Sequence, residues 1–178
     1  MAGIEEMRGL LLTGSVTDLT PLSSLRRLGW LNVSITTDLV SLHGLENVVD
    51  PAAEDEPATL TVHAEENAAL ADLSALSMPR LRGLDLSGGN PSLVEATLGP
   101  IRELDYLVVD EELGLSRLSA TALVAIHDKL EVGGNLCEVD LPALQELGSL
   151  IVAGFPSCWP QEEQDALLAQ TGHEPQGP

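Results

Sequence analysis

The sequence predicts an α/β-type right-handed solenoid, with a single parallel β-sheet of about seven short strands and a helical cap at the C-terminus. Three observations lead there. An apolar pair, Leu-x-(Leu/Val), recurs seven times along the chain. Further leucines follow each pair at steps of about three, so that 34 of the 178 residues are Leu. Aromatic residues amount to Trp30, Tyr106, Phe155 and Trp159 alone. A thick core draws much of its volume from aromatic rings. A stack of thin, similar layers has no room for them, and leucine fills such layers well.

The pairs are Leu10/Leu12, Leu31/Val33, Leu60/Val62, Leu84/Leu86, Leu107/Val109, Leu130/Val132 and Leu150/Val152. Their first positions are 21, 29, 24, 23, 23 and 20 residues apart. Self-similarity at this period is the mark of repeat architectures. Alternate residues of a strand face one way, so each pair points inward and the residue between them outward. The later leucines turn the chain and return it over the same interior. Each coil thereby buries its apolar edge against the coils beside it.

The stretched second interval contains Asp50-Pro51-Ala52-Ala53-Glu54-Asp55-Glu56-Pro57. Two prolines and four acids read as a solvated loop bulging from one coil. Ser119 to Asp128 reads as one or two turns of helix, with Ser119 as its cap. Pro160 suits the start of a helix, and acids in the first turn suit its dipole. Ala166, Leu167 and Trp159 are expected to cover the open end of the last coil. The expected organisation is one domain over 1–178, with coils over 8–155, a cap over 156–170 and a frayed tail over 171–178.

Eight Lys+Arg stand against 28 Asp+Glu, a formal charge of -20. That argues against nucleic acid and anionic membranes, whose affinity begins with cationic neutralisation. An apolar content of 44% excludes a fully disordered acidic chain. No stretch approaches the length of a membrane span. No basic region followed by an apolar core opens the chain. Two readings of its location follow, a cytoplasmic protein or the mature segment of an exported one.

Chemistry-bearing motifs are sparse. There is no Gly-x-Gly-x-x-Gly and no Walker loop. His43, His63, His127 and His173 fall in different coils without metal-ligand spacing. No Ser or Cys has a recognisable base partner. The expectation is no catalytic residue, no metal and no cofactor. Cys137 and Cys158 follow Leu130 and Leu150 by seven and eight residues. They therefore occupy near-equivalent places on adjacent coils, within the Cα range of a disulfide. Two buried thiols are the other reading.

The segment DLVSLHGLENV, Asp38 to Val48, resembles the turn that precedes a strand in receptor L-domains and their bacterial relatives. GGNPSL (Gly88 to Leu93), EENAAL (Glu65 to Leu70) and GGNL (Gly133 to Leu136) are similar to the Asn-x-x-Leu corner after each strand. The resemblance spans about residues 8 to 160, and the closing Cys158 and short helix fit it too. It implies an L-domain-like, leucine-rich repeat fold in which Asn67, Asn90 and Asn135 tie the corners. It also implies a non-catalytic recognition or adhesion module, extracellular or at the cell surface. The flanking cysteine-rich modules of animal receptors are missing, so a growth-factor receptor role does not carry over.

The outward residues of the strands are the place for a binding site. Leu11, Asn32, Thr61, Asp85, Val108, Glu131 and Ile151 are the expected central row. Trp30, Ser34, His63, Ser87, Tyr106, Asp110, Gly133 and Ser149 flank it. Trp and Tyr are favoured anchors at interfaces. The candidate binding residues are Trp30, Asn32, Thr61, His63, Asp85, Tyr106, Asp110 and Glu131. The expected partner is a protein or glycan. The acids Asp85, Asp110 and Glu131 would suit a basic one, as would a second reading, an acidic cytoplasmic inhibitor or immunity-type protein.

Overall fold

The structure is a computed structural model and describes residues 3–49, 58–110, 114–153 and 158–173. In chain order the strands are β1 (Glu6–Met7), β2 (Leu10–Gly14), β3 (Arg27–Leu28), β4 (Trp30–Thr36), β5 (Thr61–Glu65), β6 (Arg80–Asp85) and β7 (Glu95–Thr97). There follow β8 (Glu103–Val109), β9 (Arg117–Ser119), β10 (Ala125–Val132), β11 (Glu138–Asp140), β12 (Glu146–Leu147) and β13 (Leu150–Val152). One α-helix, α1 (Gln161–Gln170), closes the described chain. Every named pairing is parallel.

The main sheet runs β2, β4, β5, β6, β8 and β10, and ends on β12 with β13. These are the rungs of a right-handed parallel solenoid of about six turns, as the repeat predicts. Two short parallel ladders accompany the main sheet, β1 with β3 and β7–β9–β11. The sequence reading did not separate them, because their strands are only two or three residues long.

The interior is built in rows. Leu31, Val62, Leu84, Leu107 and Leu130 are in register and buried. Leu28, Leu81, Leu104, Ile126 and Leu147 make a second buried row at the leading corner of the strands. Burying such a side chain contributes roughly 1.5–3 kcal/mol, and each one packs on the equivalents above and below.

Several expectations are corrected. Leu31 and Val33 pair with Val62 and Ala64, not with Leu60 and Val62. Leu60, Val62 and Ala64 are all inward and buried, so the alternation alone left the register open by two residues. Ser119 to Asp128 is not helical. Ser119 ends β9 and Ala125 to Asp128 begin β10. Leu118, Leu123 and Ile126 must all face the interior, and a strand–turn–strand path brings them there. Val152 is exposed rather than inward, because it lies on the last rung of the described sheet. The acidic insertion Asp50 to Pro57 lies outside the described residues, as does Phe155.

The corners are held by a buried ladder. Thr36, Asn67 and Asn90 are fully buried at equivalent places. The Asn67 amide donates to Val33 O at 2.8 Å and to Asn90 Oδ1 at 2.9 Å. Its own Oδ1 accepts from Thr36 Oγ1 at 2.7 Å and Thr36 N at 3.1 Å. Asn90 donates to Ala64 O at 3.0 Å. The residue before each corner is left-handed: Ile35 (φ 55), Glu66 (φ 52), Gly89 (φ 84) and, before the exposed Asn135, Gly134 (φ 64).

At the C-terminus α1 buries Leu167 and Leu168, with Trp159 beside them, while Ala166 is exposed. Leu168, not Ala166, therefore completes the cap. Gln170 donates to Leu144 O at 2.7 Å. The helix ends in a Schellman turn: Gly172 is left-handed (φ 79), and His173 N reaches Leu168 O at 2.8 Å. Thr171 to His173 are thus hydrogen-bonded to the last turn of the helix.

Candidate functional site

The register assembles two parallel rows of outward side chains on the main sheet. The central row is Leu11, Asn32, His63, Asp85, Val108, Glu131 and Ile151. Two residues earlier on each strand stand Trp30, Thr61, Gly83, Tyr106 and Lys129. His63 therefore belongs to the centre and Thr61 to the flank, the reverse of the expected order. The cause is the register of β5 described above.

Both aromatics lie over glycines of the neighbouring coil. A Cβ on Gly9 would run into the indole of Trp30, and one on Gly83 into the ring of Tyr106. Only glycine lets the rings approach the backbone so closely. Trp30 remains 42% exposed, and Tyr106 is half-buried. Sequence reasoning found both rings but not their glycines. Gly9 and Gly83 each stand one coil upstream of the aromatic residue, and that spacing was the available signal.

Between the rings His63 is held from two sides. Its Nδ1 is 3.1 Å from Asp85 Oδ2 and its Nε2 is 3.1 Å from Glu65 Oε2. Asp85 also accepts from Ser87 N at 3.0 Å and Ser87 Oγ at 2.6 Å. Burial alone would lower the imidazole pKa. The Glu65 hydrogen bond and the Asp85 charge outweigh it and hold His63 above the ordinary value. Burial pushes the Tyr106 hydroxyl up, Asp85 adds to this, and Arg82 and Lys129 oppose it.

The second half of the face is less acidic than the sequence suggested. Lys129 Nζ donates to Glu131 Oε2 at 2.7 Å, and this bond raises the lysine pKa. Lys129 was not among the expected flanking residues, although the alternation around Leu130 points it outward, and the register sets it beside Tyr106. Asp110 lies further along the strands, against Gly133. Asn32 sits half-buried between Leu11 and His63, and its buried Oδ1 has no hydrogen-bond partner among the described residues.

Away from this face, Cys137 and Cys158 form a disulfide with Cα atoms 4.5 Å apart. It joins the last corner to the start of the cap. Among the described residues no group of three His, Cys, Asp or Glu is placed to hold a metal ion. Among them also, no helix is long and apolar enough to cross a membrane.

Fold and face together define a parallel β-solenoid carrying a polar, aromatic-flanked sheet surface. Comparison with known proteins found no matching family model, no matching curated protein and no matching solved structure.

Proposed function

We propose that this chain is a non-catalytic recognition or adhesion module, L-domain-like in its leucine-rich repeats. It binds a protein or glycan through the exposed face of its parallel sheet. The observation that carries the reading is the pair of aromatic rings seated over glycines on either side of the His63–Asp85–Glu65 array. Side chains fixed before a ligand arrives lower the entropy cost of binding. The Cys137–Cys158 disulfide supports an extracellular or cell-surface setting, since such bonds persist in oxidising compartments.

The formal charge of -20 favours a second reading, a cytoplasmic acidic protein that binds a basic partner. On this face, however, Asp85 and Glu65 meet His63, and Glu131 meets Lys129. That pairing weakens the attraction such a partner would feel here.

The test compares a face variant, Trp30→Ala with Tyr106→Ala, with a variant remote from it, Ser74→Ala with Thr121→Ala. Both are probed on arrays of purified proteins and glycans. Ligands of the wild-type chain should be lost by the face variant and kept by the remote one. Ligands kept by the face variant at full strength would bring the reading down.

A further inference from the structure

We infer that the ligand of the sheet face is a neutral saccharide, seated across Thr61 between Trp30 and Tyr106. The inference rests on the recognition-face reading and names its ligand class.

The rings come first. The indole lies over Gly9 and the phenol over Gly83, three inter-strand steps apart, or about 14 Å. That is the reach of a short oligosaccharide rather than of a single sugar. A pyranose ring presents an apolar C–H face and a rim of hydroxyls. The first packs on an aromatic face, and the second needs donors and acceptors close to the ring plane. The sheet offers such groups in two adjoining rows: Thr61 in the row of the rings, and Asn32, His63 and Asp85 in the central row beside it. His63 and Asp85 are already fixed by mutual bonding, so a hydroxyl meets a set array rather than mobile side chains. The Asn32 Oδ1, without a partner among the described residues, marks the point on the central row where hydrogen bonding is incomplete.

Charge argues for a neutral ligand. Lys129 is matched by Glu131, and His63 engages both Asp85 and Glu65, which leaves their array a small negative charge and no free cation to attract an anion. An anionic polymer would meet these carboxylates and the -20 charge of the whole chain. A cation would have to displace bonds already made. A protein ligand is disfavoured on different grounds. Protein interfaces have a contiguous apolar centre. In the central row Leu11, Val108 and Ile151 are separated by polar residues, and no two of them are neighbours.

The experiment is affinity electrophoresis of the full chain in gels containing laminarin, mannan, galactan or xylan, with polygalacturonate as the acidic control. At least one neutral polysaccharide should retard the wild type, and polygalacturonate should not. Trp30→Ala and Tyr106→Ala should each weaken retardation about tenfold or more, while Tyr106→Phe keeps it. Thermal melting checks that the variants fold. Thr61→Arg, which fills the trough from an outward strand position, gives an independent loss should an aromatic variant unfold.

Retardation by none of the neutral polysaccharides, or by polygalacturonate alone, overturns the inference. So does undiminished retardation of Trp30→Ala, Tyr106→Ala and Thr61→Arg together. A purified protein that binds the wild type and is lost by these variants overturns the saccharide assignment but leaves the recognition face standing. A ligand of any class that these variants keep removes both.

Discussion

His63 shows how much of the face is decided by single side chains. Its two nitrogens face carboxylates from its own strand and from the next one. Its pKa is raised in the folded chain above the free value of about 6.5. A raised histidine contributes stability that is complete below the unfolded pKa and is lost as pH rises through the folded one. The stability advantage of wild type over His63→Gln should therefore shrink as pH rises from below the free value through the raised folded one. Denaturant midpoints across that range check it, and an advantage that grows with pH would reverse the assignment. Ile35 is the opposite case, a residue at odds with its backbone. It is β-branched, left-handed (φ 55) and 62% exposed. Little burial is lost on removing its side chain, and the steric cost of about 1–2 kcal/mol is relieved. Ile35→Gly should raise unfolding stability by about 1 kcal/mol after the entropy cost of glycine. Equilibrium denaturation measures it, and a destabilised variant would show that the isoleucine has a packing role.

The corner and the cap are the elements on which the fold depends. Asn67 bonds the corners on both sides of its own coil. Asn67→Ala leaves Val33 O and Thr36 N buried without their partner and should cost about 3 kcal/mol. Asn135, exposed at its corner, should cost under about 1 kcal/mol in the same substitution. Equal losses from the two would show that the ladder is not what distinguishes them. The cap rests on a small apolar contact, with Leu167, Leu168 and Trp159 buried. The disulfide tethers one end of it and Gln170 the other. Its loop of 21 residues suggests that Cys137→Ser with Cys158→Ser costs about 3 kcal/mol. Hydrogen exchange should then rise first in α1 and at Leu141 to Leu147. Protection lost uniformly along the chain would instead mean that the bond supports the whole stack.

Over the whole molecule acids far outnumber cations, 28 Asp+Glu against 8 Lys+Arg. Cross-coil pairs such as Arg80–Glu103 at 3.4 Å and Arg117–Glu138 at 3.3 Å use the few cations available. Pairs at or near the surface such as these contribute little each. The remaining acids repel one another, and a charge of -20 on 178 residues opposes compaction. The melting temperature should therefore rise between about 0.01 M and about 0.5 M sodium chloride as this repulsion is screened. A melting temperature that falls with salt would make the ion pairs, not the excess acids, the dominant electrostatic contribution.

The coil period, the inward leucines and the helical cap were all legible in the chain, because each depends on local spacing. A repeat states its own architecture wherever every coil must bury the same edge. Trp30 and Tyr106 were legible for the same reason, as outward residues of inward-patterned strands. What the sequence left open was contact between coils. Leu60, Val62 and Ala64 form an unbroken inward alternation, so two registers satisfied the same pattern until the neighbouring strand selected one. That choice brought His63 to Asp85. The glycine partners of Trp30 and Tyr106 were likewise decided by rungs stacked beside one another. Periodicity determines which way a side chain points, but only the stacked structure determines what it meets there.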